Sequence, residues 1–306
     1  MPSISIVVAW EETFRRWSKP SSDTEQSKME NAEAMIRAAI RACPVVAQRT
    51  VEIFPQGSYR NNTNVRVDSD VDICVRCMDY WFDDYSQVPD VRPHEMAGLP
   101  SAYSYTEFRN EVGAALIRKF GSEKVRRGSK AFDVHATSYR VDADVVAVLE
   151  HRRYYRDWRG NLQYYSGTEF HPDSGGRIIN WPNQHYSQGV AKNRDTGNRF
   201  KYITRVIKRL RYKMEADSVA EARNIPSYLI ECLVFNAPNR CFGHDEYVRD
   251  VREVLAHLFN NTLNDESCKE WGEVNELKYL FNYWQPWTRQ QAFNFVRAGW
   301  DYLGLE

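Results

Sequence analysis

One segment of the sequence, residues 57–75, constrains the fold more than any other. It opens with a Gly-Ser turn and closes on a run in which apolar side chains alternate with others around Asp70 and Asp72. Because alternate side chains of a β-strand lie on one face, the two carboxylates should point one way and the apolar side chains into a core. The segment therefore predicts a sheet that is packed on one face and acidic on the other.

The rest of the pattern places strands before helices. Further β-branched and aromatic runs predict strands at 50–54, 132–135 and 139–149. Apolar residues at helical spacing predict helices at 10–17, 22–40, 105–120, 198–214, 227–235, 245–259 and 289–300. This order predicts the α+β class, with a sheet domain that leads into a helical one.

Two local predictions concern the start of the second helix and the connection between the sheet and the later helices. Asp23 followed by Gln26 resembles a capping box, so the second helix is expected to begin near Ser22 or Asp23. Residues 151–197 are rich in Gly, Pro, Asn and charged residues, and they predict a long irregular connection that is functional or partly structured.

The composition excludes several classes of protein. The 306 residues carry 41 Lys+Arg and 41 Asp+Glu, a balance that disfavours coating duplex DNA through bulk positive charge. A hydrophobic fraction of 42% excludes wholesale disorder, and the longest apolar run, 4–10, is too short to span a bilayer. Six cysteines in a chain of this length do not indicate a disulfide framework. A cytoplasmic protein with no membrane partner is expected.

A second acidic pair lies in the predicted strand 139–149. Asp142 and Asp144 share one face there, as Asp70 and Asp72 do in the earlier strand. Mg²⁺ prefers oxygen ligands and often shares them with substrate phosphates, and carboxylates from neighbouring strands suit a two-metal site for phosphoryl transfer. A lone Asp-x-Asp is more often a solvated strand face or a turn.

The Gly57-Ser58 turn favours the functional interpretation of these carboxylates. Glycine lets backbone N–H groups approach an anion closely, and the serine adds a hydroxyl donor. A Gly-Ser pair alone is a weak signal, but together with two acidic pairs it indicates phosphate binding beside metal ions.

This combination resembles the DNA polymerase β-like nucleotidyltransferases, and the longer run 57–72 is similar to the bacterial cGAS/DncV-like nucleotidyltransferases. The run 225–231 and the Lys-rich helix before it fit the same family. The resemblance implies a polymerase β-like sheet core with N-terminal helices and a C-terminal helical lobe, and an active site in the cleft between lobes. It implies a catalytic lobe at 1–197 and a nucleotide-binding lobe at 198–306.

The resemblance also implies which carboxylates bind metal. Asp70, Asp72 and Asp144 match the family's ligands for two Mg²⁺ ions, with Mn²⁺ as an alternative. Asp144 is preferred because the apolar run 145–148 that follows it matches the family pattern. Strand alternation does not separate it from Asp142, which remains a second choice for the ligand or a residue that only tunes its neighbour electrostatically.

A basic helix supplies candidate phosphate contacts. Lys201, Arg205 and Lys208 fall at i, i+4 and i+7, opposite the apolar stripe of the predicted helix. The ordinary interpretation of such a pattern is a solvated helix face. Triphosphate donors, however, need cations where charge develops, and by resemblance Lys208 is the best match for the family's phosphate-contacting lysine.

Two residues at the start of the next helix are also implied by resemblance. Ser227 matches the serine that touches the donor triphosphate, and Tyr228 matches the aromatic residue that stacks on the nucleobase. Such stacking contributes about 1–3 kcal/mol per base. Core packing explains a tyrosine at this position equally well.

The implied function is template-independent synthesis of a cyclic di- or trinucleotide from nucleoside triphosphates, with release of pyrophosphate, in bacterial anti-phage defence. The implied partner is a downstream effector that senses the product, and a monomer is expected. No counterpart of the His/Cys zinc insertion of animal DNA-sensing enzymes is present, so activation by DNA is not expected. Rival interpretations are a nucleotidyltransferase that modifies an RNA end or a small molecule, and a catalytically silent nucleotide-binding protein.

Overall fold

The computed structural model describes residues 4–65, 70–91, 103–135 and 141–305, with the backbone alone for 4–9. Residues 66–69 of the Gly-Ser to Asp-x-Asp segment, and residues 139–140 of the predicted fourth strand, lie outside this description. The chain forms two compact units, and both are discontinuous in sequence. One contains residues 22–59 and 66–182, and the other contains 1–21, 60–65 and 183–306.

The elements follow the predicted order of strands and helices. Those of the first half are α1 Ile4–Trp17, α2 Asp23–Arg41, α3 Pro44–Ala47, β1 Val51–Pro55, α4 Gly57–Arg60, β2 Val71–Asp84, α5 Tyr105–Phe120, β3 Val125–Arg127, β4 Phe132–Val134 and β5 Ala143–Arg156. Those of the second half are β6 Leu162–Phe170, β7 Ile178–Asn180, α6 Pro182–Asp195, α7 Arg199–Ala216, α8 Ser227–Asn236, α9 Tyr247–Thr262, α10 Asp265–Cys268 and α11 Arg289–Leu303. The predicted α+β class is confirmed.

The sheet unit is organised around two long strands. β2 and β5 pair in parallel, and β1, β4 and β3 extend the sheet in the order β1-β2-β5-β4-β3 by antiparallel pairing. Ile73 and Val75 are fully buried as the alternation predicts, and they join a core with Val145 and with Phe108 of α5. This burial fixes the register of β2, because a slip of one residue would turn its carboxylates into the core.

The segment 151–197 is not an irregular connection, and the expectation that it is partly structured is confirmed. β5 continues to Arg156, turns through 157–161 and pairs antiparallel with β6, after which β7 and α6 follow. Tyr155 and Tyr165 stack across this hairpin with ring centroids 4.3 Å apart. Cross-strand aromatic pairs of this kind stabilise a hairpin, and the abundance of polar residues obscures that pattern in the sequence.

The start of α2 lies within the predicted window, but its cap differs from the prediction. Ser22 is the N-cap, and its side chain and that of Glu25 form a reciprocal capping box. The Asp23–Gln26 pairing is therefore wrong by one residue. A serine hydroxyl can accept from the N3 backbone amide while Glu25 bonds the N-cap amide, so this pair satisfies two orphan donors at once.

The helical unit includes the N-terminal helix. Phe14 of α1 is 1% exposed and packs in one core with Ile203, Leu210 and Val254, because α1 contacts both α7 and α9. The compact units therefore divide the chain differently from the predicted lobes 1–197 and 198–306, since α1 and α6 belong with the later helices. The functional division between these lobes stays a prediction.

Of the helices in the described part of the chain, none combines the length and the apolar character that crossing a membrane requires. All six cysteines are buried and none of them forms a disulfide bond, which agrees with the prediction of no disulfide framework.

Candidate active site

A row of three carboxylates crosses the centre of the sheet. Asp72 on β2 is the register partner of Asp144 on β5, and Asp133 on β4 is the register partner of Asp144 on the other side. Partners in register on neighbouring strands point to the same face of a sheet. Strand pairing therefore brings Asp72 and Asp144 together, as the sequence predicts.

Asp133 was not predicted as a site residue. It lies between Phe132 and Val134, which are both buried, so the same apolar alternation that identified Asp72 applies to it. The strand is only three residues long. A single acidic residue in so short a run does not predict a functional site unless the partner strand is known.

These carboxylates repel one another. Burial, followed by the charges of Asp144 and Asp70, raises the pKa of Asp72 to about 7. Burial, followed by the charge of Asp70 and the charge and hydrogen bond of Asp133, raises the pKa of Asp144 to about 6. Shifts of this kind from desolvation and like charge mark functional sites more often than structural ones.

The raised pKa of Asp72 predicts how stability depends on pH without metal. The folded protein binds this proton more tightly than the unfolded chain, whose carboxyl has an ordinary pKa near 3.8. The associated stability is complete below about pH 4 and is lost as the pH rises through about 7. We expect Asp72→Asn, which mimics the protonated group, to gain in Tm relative to the wild type between pH 5 and pH 8 in EDTA. A Tm difference that stays constant over this range would contradict the shift.

The placement of Asp142 differs from that of Asp144. Asp142 precedes β5, is half exposed, and lies 3.9 Å from the Nδ1 atom of His135. Its charge contributes to the raised pKa of Asp144. Of the options left open by strand alternation, the geometry favours Asp144 as the member of the carboxylate row and Asp142 as the residue that tunes it.

The carboxylates provide the oxygen donors that a hard cation prefers, but they are not arranged as a complete metal-binding site. Among the described residues, no three His, Cys, Asp or Glu side chains are arranged closely enough to hold a metal ion. Asp70, Asp72 and Asp144 nevertheless interact strongly enough to raise two pKa values, and a divalent cation would relieve that repulsion. Oxygen donors of this type suit Mg²⁺. Their assignment as metal ligands stays a prediction.

The Gly-Ser turn lies against this row. Gly57 begins the short helix α4 with a φ of +67°, and the backbone amide of Gln56 donates to the carbonyl oxygen of Asp72 at 2.8 Å. A Cβ atom on Gly57 would overlap the carboxylate of Asp72. Glycine is therefore required here both by its backbone conformation and by the proximity of Asp72. Ser58 follows on the same turn and is half-buried.

Gly57→Ala should lower activity by disturbing Asp72. The new methyl group must displace the carboxylate or the turn, and a misplacement of about 1 Å at a reacting centre can cost 10²-fold in rate. Gly160→Ala is the matched control, because Gly160 also has a positive φ, of +82°, but a Cβ there meets open space. Steady-state product formation should fall about 10²-fold in the first variant only. Equal loss in both variants would attribute the effect to backbone strain.

Two of the three predicted basic residues on α7 are not on a solvated face. Arg205 and Lys208 are 1% and 2% exposed. The guanidinium of Arg205 donates to the carbonyl oxygens of Ser18 and Asn62, and the ammonium of Lys208 donates to the carbonyl oxygen of Thr63 at 3.2 Å. Both residues lie opposite the apolar stripe, as predicted, but the segment 60–65 covers that face, so neither side chain is solvated.

A buried carboxylate completes this arrangement. The carboxylate of Glu231 on α8 lies 2.7 Å from the ammonium of Lys208. It accepts a hydrogen bond from the hydroxyl of Thr63 at 2.6 Å, and it lies 2.9 Å from the Nε2 atom of His185. Although burial opposes ionisation, Lys208 and His185 hold the pKa of Glu231 well below its usual range. Lys208 therefore serves a buried ion pair here, and a contact with triphosphate stays a prediction.

The remaining predicted residues of the helical unit are more accessible. Lys201 is half-buried near the start of α7, and Ser227 is the first residue of α8, 3.5 Å from Arg211. Tyr228 packs between His185 and Trp287 and donates its hydroxyl to Glu273 at 2.8 Å. Much of its ring serves the core, as the packing alternative expects, and its stacking on a base stays a prediction.

A mixed sheet with a central carboxylate row, a Gly-Ser turn against it and a helical domain is the arrangement of a polymerase β-like nucleotidyltransferase. Residues 187–304 match the family model of the cGAS/DncV-like nucleotidyltransferase C-terminal helical domain. The chain is 48% identical to a cyclic dipyrimidine nucleotide synthase CdnE of Legionella pneumophila, over 97% of this chain and 98% of that protein.

Two further similar proteins indicate the same family. A protein of the same name from Cecembia lonarensis is 42% identical over 96% of this chain and 98% of its own length. The solved structure of the Rhodothermus marinus CdnE c-UMP-AMP synthase with Apcpp and Upnpp has a TM-score of 0.82 and 28% identity, and covers 96% of both chains. The chain belongs to the cGAS/DncV-like nucleotidyltransferases.

Proposed function

We propose that this protein joins nucleoside triphosphates into a cyclic di- or trinucleotide and releases pyrophosphate. The observation that carries the proposal is the row of Asp72, Asp144 and Asp133, whose mutual repulsion a bound cation would relieve, with the Gly57-Ser58 turn against it. Membership of a family whose relatives are named cyclic nucleotide synthases supports it.

Asp70, Asp72 and Asp144 would hold two Mg²⁺ ions, with Mn²⁺ as an alternative. When bound, such ions lower the pKa of an attacking hydroxyl and neutralise the charge of the leaving pyrophosphate. The protein's own part is to keep Asp72 and Asp144 on paired strands, with Asp70 two residues before Asp72, which fixes the spacing of the strand carboxylates before substrate binds. The Ser58 hydroxyl and the amides of the Gly-Ser turn would donate to a phosphate of the donor nucleotide.

We propose pyrimidine nucleotides as the first substrates to test. The two relatives at 48% and 42% identity are both named cyclic dipyrimidine nucleotide synthases, whereas the Rhodothermus marinus relative is named a c-UMP-AMP synthase. Identity is higher to the former pair, so UTP and CTP are expected to be used at least as well as ATP.

We further propose a role in bacterial anti-phage defence as a cytoplasmic monomer. The product would act on a separate effector, and catalysis would proceed without DNA. Family membership supports this setting, and sedimentation of the purified protein together with activity assays without nucleic acid would test the monomer and the DNA independence.

The decisive experiment incubates the purified protein with all four triphosphates and MgCl₂, treats the reaction with phosphatase and identifies products by mass spectrometry. Phosphatase-resistant cyclic products with release of pyrophosphate support the proposal. Product that forms only when RNA or another acceptor is added would instead establish transfer to that acceptor. Absence of any metal-dependent turnover, with nucleotide still bound, would establish a silent binding protein.

A further inference from the structure

A buried carboxylate of the helical unit is surrounded by neutral donors. Glu273 lies between α10 and α11 and is 4% exposed. It accepts hydrogen bonds from the hydroxyl of Tyr228 at 2.8 Å, from the side-chain amide of Asn275 at 2.6 Å and from that of Gln285 at 2.8 Å. Within the described ranges, no cationic side chain lies within ion-pair distance of it. Acidic side chains are seldom buried without a counter-charge, so this one calls for an explanation.

The chemistry of its neighbours explains why an ionised acid occupies this position. The Oε2 atom of Glu273 accepts from Tyr228 and Asn275, and the Oε1 atom accepts from Gln285. An ionised carboxylate offers acceptors alone, whereas a glutamine in its place would turn its own N–H groups towards one of these donors. Burial above all, and also the charge of Glu273, raises the pKa of Tyr228, so the hydroxyl keeps the proton that it donates.

The segment that carries Glu273 is fixed by its own backbone. Gly272 and Tyr279 form a β-bridge, and the backbone amide of Glu273 donates to the carbonyl oxygen of Lys278 at 2.9 Å. The next residue, Val274, is fully buried in the core of the helical unit. The carboxylate is therefore attached to a well-anchored segment and can restrain the side chain that donates to it.

Tyr228 is the side chain that gains most from this restraint. Its ring lies between His185 and Trp287, with centroids 5.5 and 6.0 Å away and ring planes inclined by 31° and 55°. Ring contacts of this kind are less directional than a hydrogen bond, which weakens steeply when its angle changes. The hydrogen bond to Glu273 thus fixes the far end of a half-buried ring.

We propose that Glu273 is a positioning residue that, with Asn275, holds the Tyr228 ring in the orientation in which a nucleobase stacks on it. This inference rests on the proposed function, because the base is that of a nucleotide substrate. Stacking contributes about 1–3 kcal/mol per base, and a ring that is fixed before the ligand arrives does not have to be ordered on binding. Glu273 acts through Tyr228 and does not touch the nucleotide itself.

The test compares ligands with and without a base. Calorimetry in MgCl₂ measures the binding of non-hydrolysable UTP and ATP analogues and of inorganic tripolyphosphate to the full chain. Glu273→Gln and Tyr228→Phe should each weaken the nucleotide analogues about fivefold and leave tripolyphosphate unchanged, because only the base contacts the ring. The KM for the triphosphate should rise by a similar factor with little change in kcat.

A double variant and a control show whether the two residues act together. If Glu273 acts through the hydroxyl, Glu273→Gln with Tyr228→Phe should bind the analogues no more weakly than either single variant. Tyr302→Phe is the matched control, because it removes a hydrogen bond from another tyrosine of the same unit to a carboxylate, that of Asp217. It should leave every affinity unchanged. Additive losses in the folded double variant would overturn the inference.

A purely structural role predicts a different result. Glu273→Gln would then lower the Tm while the folded protein, judged by circular dichroism, kept its affinity for the analogues, and this result would overturn the inference. An equal loss of tripolyphosphate binding would overturn it too, because the damage would not be confined to the base. If Glu273→Gln does not fold, Tyr228→Phe alone decides, since wild-type affinity in that variant contradicts the proposed role of the hydrogen bond.

The inference and the proposed function fail separately. If the wild type makes a cyclic product while both single variants bind the analogues normally, only the positioning role is wrong. If both variants lose nucleotide affinity selectively but the wild type forms no product from any triphosphate, the proposed function is wrong and the positioning role stands.

Discussion

Asp72→Asn is expected to reduce cyclic nucleotide synthesis by about 10³-fold or more while the protein stays folded. A carboxylate that holds a divalent cation supports several kcal/mol of transition-state charge stabilisation, and each 1.36 kcal/mol is a factor of ten in rate. Asp70→Asn should behave in the same way. Pyrophosphate release at saturating triphosphate and MgCl₂ measures the loss, and the thermal unfolding temperature shows that the fold is intact.

A control substitution on the same strand distinguishes a loss of catalysis from a general effect of removing one negative charge. Asp79 also lies on β2, is exposed and accepts a hydrogen bond from the backbone amide of Thr50. Asp79→Asn removes the same unit of charge and keeps an acceptor oxygen, so its turnover should match that of the wild type. If Asp72→Asn kept turnover within tenfold of Asp79→Asn, the carboxylate row would not be the reacting centre.

Lys208→Met is expected to lower the free energy of unfolding by about 3–5 kcal/mol. The substitution leaves the carboxylate of Glu231 buried without its main counter-charge, and removal of one partner of a buried pair has a cost of this size. Urea titration measures it. Lys213→Met, on the same helix, breaks an exposed ion pair with Asp217 and should change the unfolding free energy little.

The double variant Lys208→Met with Glu231→Gln tests the cause of that loss. The amide still accepts from Thr63 or His185 but carries no charge, so most of the lost stability should return. A double variant as unstable as the single one would refute the buried-charge explanation. Normal affinity of the double variant for triphosphate would show that Lys208 anchors the fold and does not bind substrate.

Local periodicity predicted the parts of the site that depend on one strand. Asp72 was identified because its apolar neighbours alternate with it. Alternation left Asp142 and Asp144 equal, and Asp144 was preferred because the apolar run that follows it matches the pattern of the family that the sequence resembles. Asp133 could not be found in this way, because only its pairing in register with Asp144 places it in the carboxylate row. Register between strands is a property of the whole sheet, which a single short run does not encode.

The burial of the basic residues of α7 could not be predicted from local periodicity either. Arg205 and Lys208 lie opposite the apolar stripe of α7, so helical geometry alone places them in solvent. Their partners, Asn62 and Thr63, are 143 and 145 residues away along the chain. A loop that folds over a polar helix face leaves no trace in the periodicity of that helix.

The membership of α1 in the helical unit has a consequence during synthesis. Its aromatic face, with Phe14 at the centre, packs against α7, α9 and α11. About 180 residues separate Trp17 from Arg199, and at roughly 5–20 residues per second a ribosome needs on the order of 10–40 s to supply them. During that interval the first helix made has no core to join. The core of the helical unit is thus completed only after the last helices have been made, so α1 waits longest of all helices for its packing partners.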